Sequence, residues 1–325
     1  MKIDFEDIAR IAAEKAEGIE YKTFSISLRL PESAIKEEEN TFKKDGLLGR
    51  TALKTRISRE LRDLISKRNG KLFEVDGEVN FRINLEKKDV GVEIKPIFLL
   101  CKYRKLKRGI SQTRWDKYDS SVEGYVVKAA GELYHSTNAF LHGAGREDVD
   151  VRMLGDGRIC TVEIVGPKKR TVAHDELERK VREVSGGDIE LDVLREVTRD
   201  YVWIVKEAHF DKVYDAEVKF EKEIGQEQVD RVTAIRKIEQ LTPTRVMHRR
   251  ADLVRHKNVL GIWLIEKHGN SAKFRIKTEA GTYIKELISG DSGRTRPSFA
   301  ETAGCNASCT ALDVVKVHEY VSDWW

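Results

Sequence analysis

Cysteine is scarce in this chain. There are four, Cys101, Cys160, Cys305 and Cys309, and none forms a Cys-x-x-Cys pair. That spacing excludes a disulfide framework and a zinc site built on cysteine pairs, and it fits a reduced, cytoplasmic protein. Cys305-x-x-x-Cys309 is half a metal site at most, so no metal is expected. Proline is nearly as rare, with five residues, and no Pro-rich linker divides the chain. No apolar run approaches the roughly 18 residues that a membrane-spanning helix needs. The first residues, Met1-Lys2-Ile3-Asp4-Phe5-Glu6-Asp7, are acidic and hold no apolar signal core. Several motifs are missing as well. Without Gly-x-x-x-x-Gly-Lys-Ser/Thr, Gly-x-Gly-x-x-Gly, His-Glu-x-x-His or Pro-Cys-x-x-Cys, the chain offers no phosphate loop, dinucleotide cradle, zincin helix or deaminase site.

What is present is a long, highly charged globular chain. Its 325 residues suggest about two domains. Lys plus Arg numbers 59 against 55 for Asp plus Glu, a net charge of +4 that is too small to name a partner. In the first third, Phe5, Ile8, Ile11, Ala12 and Ala16 recur at helical spacing over residues 4–16. Phe24, Ile26, Leu28 and Leu30 alternate as in a half-buried strand, as do Val79, Phe81, Ile83 and Leu85. Ile57, Leu61, Leu64 and Ile65 mark a helix ended by Asn69-Gly70, and Val90 to Leu100 reads as one buried strand. Beyond residue 105, Ser120-x-x-Glu123 reads as a capping box opening a helix. Strands are expected at 159–165, 202–209, 213–220, 260–267 and 272–278, and helices at 174–184, 225–240 and 283–289. Strands and helices without strict alternation predict an α+β fold with a mixed, largely antiparallel sheet, preceded by a small α/β domain. The division is expected near 105, giving domains 1–104 and 105–325.

Chemistry-bearing residues concentrate in the second part. Residues 143–158 crowd four glycines and three arginines around four carboxylates, and Asp148 sits where the Gly-rich loop enters a strand. A salt-bridged turn and an active site read equally well there. Residues 245–257 hold Arg245, Arg249, Arg250, Arg255, Lys257, His248 and His256 against the single Asp252. Together with the cluster 102–117 and Lys168-Lys169-Arg170, this favours contact with a nucleic-acid backbone over a merely solvated face. Ser185-Gly186-Gly187-Asp188 is faintly like an ATP-pyrophosphatase loop and reads better as the turn ending a helix.

Three segments carry a family resemblance: Gly-Arg-Glu-Asp-Val-Asp-Val-Arg (145–152), His-Arg-Arg-Ala-Asp-Leu-Val-Arg (248–255) and Glu-Ala-Gly-Thr-Tyr-Ile-Lys-Glu-Leu-Ile-Ser-Gly-Asp-Ser-Gly-Arg-Thr-Arg-Pro-Ser (279–298). With Gly109-Ile-Ser-Gln-Thr-Arg-Trp115 they resemble the archaeal Pus-ten family of tRNA pseudouridine synthases, strongly over about 103–320 and more weakly before residue 100. The resemblance implies a pseudouridine synthase fold behind a THUMP-type RNA-binding domain. It implies isomerisation of uridine at T-loop positions 54 and/or 55 of tRNA, with no cofactor and no obligatory protein partner. Asp148 fits the family's catalytic aspartate, with Asp150 as its competitor. Lys285 fits the basic partner of that aspartate. Tyr214 fits the active-site tyrosine, against the alternative of an ordinary strand aromatic. Tyr283 fits a substrate contact, against core packing. Arg104, Lys105, Lys107, Arg108, Arg114, Arg146, Arg249, Arg250, Arg255, Arg294 and Arg296 become the candidate RNA contacts.

The sequence departs from that family in lacking its usual paired zinc cysteines, both in the N-terminal region and after Trp115, and in carrying Ile159-Cys160 where Pro-Phe is usual. Two rival readings stand beside it. One is another THUMP-bearing tRNA-modifying enzyme, such as an ATP-dependent thiolation enzyme. The other is a catalytically silent tRNA-binding or processing protein.

Overall fold

A computed structural model describes residues 4–45 and 51–318, the side chains of Lys44, Asp45 and Arg249 excepted. In chain order the elements are α1 (Phe5–Lys15), β1 (Thr23–Arg29), α2 (Glu32–Asp45), α3 (Leu53–Asn69), β2 (Leu72–Phe73), β3 (Val79–Asn84), β4 (Asp89–Ile94), β5 (Ile97–Lys105), α4 (Val122–Tyr134), β6 (Asn138–Gly143), β7 (Val151–Val165) and α5 (His174–Val184). They continue as β8 (Ile189–Val197), α6 (Asp200–Glu207), β9 (Asp211–Phe220), α7 (Gln226–Thr233), β10 (Lys237–Gln240), β11 (Arg255–His268), β12 (Ser271–Thr278), α8 (Ile284–Ser289), β13 (Thr295–Arg296), α9 (Phe299–Ala303) and β14 (Ala307–His318). A 3-10 turn, Thr244–Arg249, lies between β10 and β11.

Two compact units divide the chain. One holds residues 1–97 together with 130–139 and 163–173, and the other holds the remainder. The division therefore falls at Ile97/Phe98 rather than at 104/105. The reason is strand pairing: β5 forms a ladder with β8 from Phe98↔Val197 to Lys105↔Ile189, so a cut at 104 would break a strand. The expected strand 90–100 is likewise two strands. Pro96, which has no N–H to give a ladder, sits between β4 and β5.

The first unit has a four-stranded sheet in the order β2-β1-β3-β4. β1 runs parallel to both neighbours, and β3 and β4 are antiparallel. Its core is the periodic set: Ile8, Ala12 and Ala16 from α1 and its end, Ile57, Leu61 and Ile65 from α3, and Phe24, Leu28, Val79, Phe81, Ile83 and Leu85 from the sheet. Ile26, between Phe24 and Leu28 on the same face of β1, is only partly buried and packs against this core. Helix α2 had no sequence signal because its charged residues expose most of its surface.

The second unit is built on a ten-stranded sheet, with β13-β10-β11-β12-β9-β14-β7-β5-β8 in line and β6 beside β7. The β14–β7 pair is parallel, whereas the β11–β12, β12–β9 and β9–β14 pairs are antiparallel. This is the mixed, largely antiparallel α+β arrangement expected. Residues 202–209, expected as a strand, lie mainly in α6, which buries Val205 and exposes Trp203. Helix α7 ends at Thr233, because Lys237–Gln240 pairs with both β11 and β13. The cap of α4 is Ser121, not Ser120: its Oγ accepts from the Gly124 N–H at 2.9 Å.

One buried polar knot fixes the loop between β6 and β7. Lys105, at the end of β5, is fully buried. Its Nζ donates to the carbonyls of Ile110 (2.8 Å), Asp148 (3.1 Å) and Val149 (3.3 Å) and lies 3.7 Å from the Glu147 carboxylate. Glu147 also accepts from Tyr103 Oη at 2.9 Å and from Arg158 Nε at 3.0 Å. Gln112 donates to Tyr103 Oη and to the Gly145 carbonyl. Gly145 is in the left-handed region, φ 77°, which a side chain would strain. Lys105 is thus a structural cation and not an RNA contact. Its burial pulls its ammonium below the usual lysine value, and the Glu147 charge opposes that pull. Breaking a buried pair leaves the partner charge uncompensated, so Lys105→Met should lower stability by about 3–5 kcal/mol in urea unfolding. A loss below about 1 kcal/mol would show that the knot is not what holds the loop.

Candidate active site

The parallel β7–β14 pair sets Val151 beside Leu312, and the chain enters that pair through the Gly-rich loop. Asp148 stands three residues before β7, its carbonyl turned back to accept from the Val151 N–H. Its side chain opens into a pocket of about 410 Å³ whose lining includes Val151, Leu312, Val314 and Tyr214. Tyr214 reaches it from β9, where it stands level with Ile276 and Val314 on one face of the sheet.

Two cations hold the Asp148 carboxylate. Arg245 Nη1 donates to Oδ1 at 2.9 Å, and Lys285 Nζ lies 3.3 Å from Oδ2. Neither is dedicated to Asp148 alone. Lys285 donates to both oxygens of Asp150 at 2.7 Å. Arg245 donates through Nε to the buried Glu286 at 2.7 Å. Burial would lower the Arg245 guanidinium, but Glu286 and Asp148 hold it firmly charged. Asp150 is pushed up by burial and pulled further down by the Lys285 hydrogen bond and charge, so it stays below the usual carboxylate value. The two aspartates differ in setting. The Asp148 side chain is 32% exposed and lines the pocket, whereas that of Asp150 is 68% exposed and does not.

The phenol of Tyr214 is pushed up to about 12 by burial, with Arg158 drawing it down and Glu147 pushing it up. It is therefore neutral at any ordinary working pH. Lys212, two residues earlier on β9, also lines the pocket, and burial and Arg158 bring it down to about 8. Tyr283 caps the N-terminus of α8. Its backbone is clamped by the buried Gln240, which accepts from its N–H at 3.0 Å and donates to its carbonyl at 2.9 Å. Its hydroxyl accepts from Arg250 at 2.8 Å, and Arg255 lies 5.9 Å over its ring.

The structure brings together Asp148, Tyr214, Lys285, Tyr283, Arg146, Arg250 and Arg255 around one pocket. The other basic candidates lie elsewhere. Arg104 forks onto Glu190 and Asp192 across β5 and β8, so its charge is answered within the sheet. Lys107, Arg108 and Arg114 pair with Asp188, Asp313 and Glu123. Arg294 is held by Asp252 and the Thr242 carbonyl, and Arg296 reaches the Gly293 carbonyl. The Arg249 side chain lies outside the described residues. Sequence reasoning missed Lys212, Gln240 and Glu286. It placed Arg245 among phosphate contacts, although its partner here is a carboxylate. Chemically, one pocket offers a carboxylate held by two cations, a neutral phenol, and arginines suited to phosphate.

Comparison with known proteins identifies relatives of this chain. The family model described as "Pus10, C-terminal" matches residues 98–318. A relative from Thermoplasma acidophilum, named tRNA pseudouridine synthase Pus10, is 38% identical over 96% of this chain and 82% of its own length. The protein of the same name from Pyrococcus furiosus is 37% identical over 97% of this chain and 81% of its own. The solved structure of a Cbf5–Nop10–Gar1 complex aligns with 70% of this chain and 50% of that chain, at a TM-score of 0.38 and 16% identity.

The Lys212 value has a measurable consequence. Below pH 8 the ammonium is charged, and above it the pocket loses one positive charge. Binding of a short oligoribonucleotide should weaken between pH 7 and 9 and lose salt sensitivity, and Lys212→Arg should flatten that trend. Fluorescence anisotropy titrations at both pH values would decide it. An unchanged pH response in Lys212→Arg would remove Lys212 from the binding surface.

Proposed function

This chain belongs to the Pus10 family and is a tRNA pseudouridine synthase, and we propose that it isomerises uridine in the tRNA T-loop, at position 54, position 55 or both, with Asp148 as nucleophile. The observation that carries this reading is the Asp148 carboxylate, gripped by Arg245 and Lys285 in a pocket that Tyr214 also lines.

The chemistry follows from the groups present. In the reaction the N1–C1′ bond of the nucleotide breaks, the uracil turns, and a C5–C1′ bond replaces it. The proton on C5 is lost and N1 gains one, so atoms and electrons balance without an external reactant. The carboxylate of Asp148 must stay ionised to attack the sugar. Arg245 and Lys285 place positive charge within 3.3 Å of it. The Tyr214 ring supplies a face on which the detached uracil can stack, worth on the order of 1–3 kcal/mol, and retains it for rotation. Turning the target base out of its loop costs roughly a few kcal/mol, which phosphate contacts from Arg146, Arg250 and Arg255 would offset.

The first unit fits the role of a THUMP-like RNA-binding accessory domain. Between β1, β3 and α3 lies a groove of about 780 Å³ lined by Arg29, Lys54, Arg59, Arg62 and Arg82. Among the described residues no carboxylate lines it, and Arg62 lies 5.3 Å over the Phe73 ring. Cations with an aromatic face suit a nucleic-acid strand. Because residues 130–139 and 163–173 belong to this unit, deleting residues 1–100 would leave part of it behind. Charge reversal is the cleaner test. Arg59→Glu with Arg82→Glu should weaken tRNA binding and flatten the log affinity–log salt slope by about 0.7 for each phosphate no longer neutralised. An unchanged slope would assign the groove another role.

Catalysis is tested by tritium release from tRNA transcripts labelled at uridine C5, with no cofactor added. Wild type should release tritium, and Asp148→Ala should not. Release by both would move the nucleophile to Asp150 or elsewhere. Release by neither, with folding and tRNA binding intact, would favour a silent tRNA-binding protein.

A further inference from the structure

We infer that Glu286 is a positioning residue for the isomerisation, acting on Asp148 through Arg245; this rests on the reading of Asp148 as the nucleophile. Glu286 lies in α8 among the buried Ile284, Leu287 and Ile288, and is itself only 5% exposed. A carboxylate so deep in the unit needs a reason and a partner. Its partner is Arg245, with Nε at 2.7 Å from Oε1 and Nη2 at 3.5 Å from Oε2. The guanidinium is planar, so gripping its Nε–Nη2 edge fixes the direction of the remaining Nη1. That nitrogen donates to Asp148 Oδ1 at 2.9 Å.

The alternative grip on Asp148 is weaker. Lys285 lies at 3.3 Å from Oδ2 but makes its two 2.7 Å bonds to Asp150. Arg245 therefore makes the shorter contact that sets the carboxylate's orientation. Consecutive residues of one helical turn thus govern both oxygens of Asp148, Lys285 directly and Glu286 through Arg245. Without Glu286 the arginine would be free to turn toward Asp150 or a substrate phosphate, and the attacking oxygen would lose its aim. A nucleophile displaced by about an ångström can cost on the order of 100-fold in rate.

The test is Glu286→Gln in the full chain, assayed by tritium release from C5-labelled tRNA under single-turnover and steady-state conditions. The single-turnover rate should fall roughly 10- to 100-fold, with KM changed less than about twofold. Arg245→Gln and the double variant Arg245→Gln/Glu286→Gln complete the cycle. If Glu286 works through Arg245, the double variant is no slower than Arg245→Gln alone. The double variant leaves no unpaired buried charge, so it keeps the comparison available should Glu286→Gln fold poorly. A wild-type rate in Glu286→Gln would overturn the inference, as would losses in the double variant that multiply. Absence of tritium release from wild type would instead overturn the functional reading beneath it.

Discussion

A lysine that never meets solvent governs the geometry of this protein. Lys105 donates to three loop carbonyls and lies beside Glu147, which Arg158 and Tyr103 also hold. Desolvating an ammonium, a guanidinium and a carboxylate together is tolerable only when each finds partners in the same place. The cluster meets that condition through the backbone of the loop itself. The loop before β7 is thereby fixed from beneath by its own carbonyls, and its side chains remain available above. Asp148 is the result: its carbonyl belongs to the knot and its carboxylate belongs to the pocket.

The pocket is a second layer of the same electrostatics, now open to substrate. Asp148, Asp150 and Glu286 face Arg245 and Lys285, so negative groups outnumber the cations that touch them. Each of these carboxylates lies within 3.3 Å of at least one of the two cations. In the rest of the lining the imbalance reverses, with Arg146, Lys212, Arg250, Arg255 and Lys257. Tyr283 lines the same pocket, its backbone held by Gln240 and its hydroxyl by Arg250.

Much of this was legible in the sequence because it depends on local spacing. Alternation named Phe24, Leu28, Phe81 and Ile83, and helical spacing named Ile8, Ile57, Leu61 and Ile65; all are in the first unit's core. The family motifs around 148 and 285 placed Asp148, Lys285 and Tyr283 at one site, where the folded chain brings them. Local pattern failed where long-range pairing decided the outcome. Residues 237–240 left their expected helix because two strands bond to them. The strand expected at 202–209 gave way to a helix that buries Val205 and leaves Trp203 in solvent.

By itself, then, the amino-acid order determined the class of fold, the core of the first unit and the candidate carboxylate, Asp148. Those follow from periodicity and from a compact motif, both written within a few residues. Only the tertiary structure decided what each charge is for. Lys105 and Arg104 stand in the same basic run as Lys107, yet one is buried, one is forked across a strand pair and one is at the surface. Arg245 and Asp148 are 97 residues apart, and nothing near either predicts the other. A cation's role is set by which acceptors the fold brings within about 3 Å and how much water it removes, and neither quantity exists until distant strands have found their register.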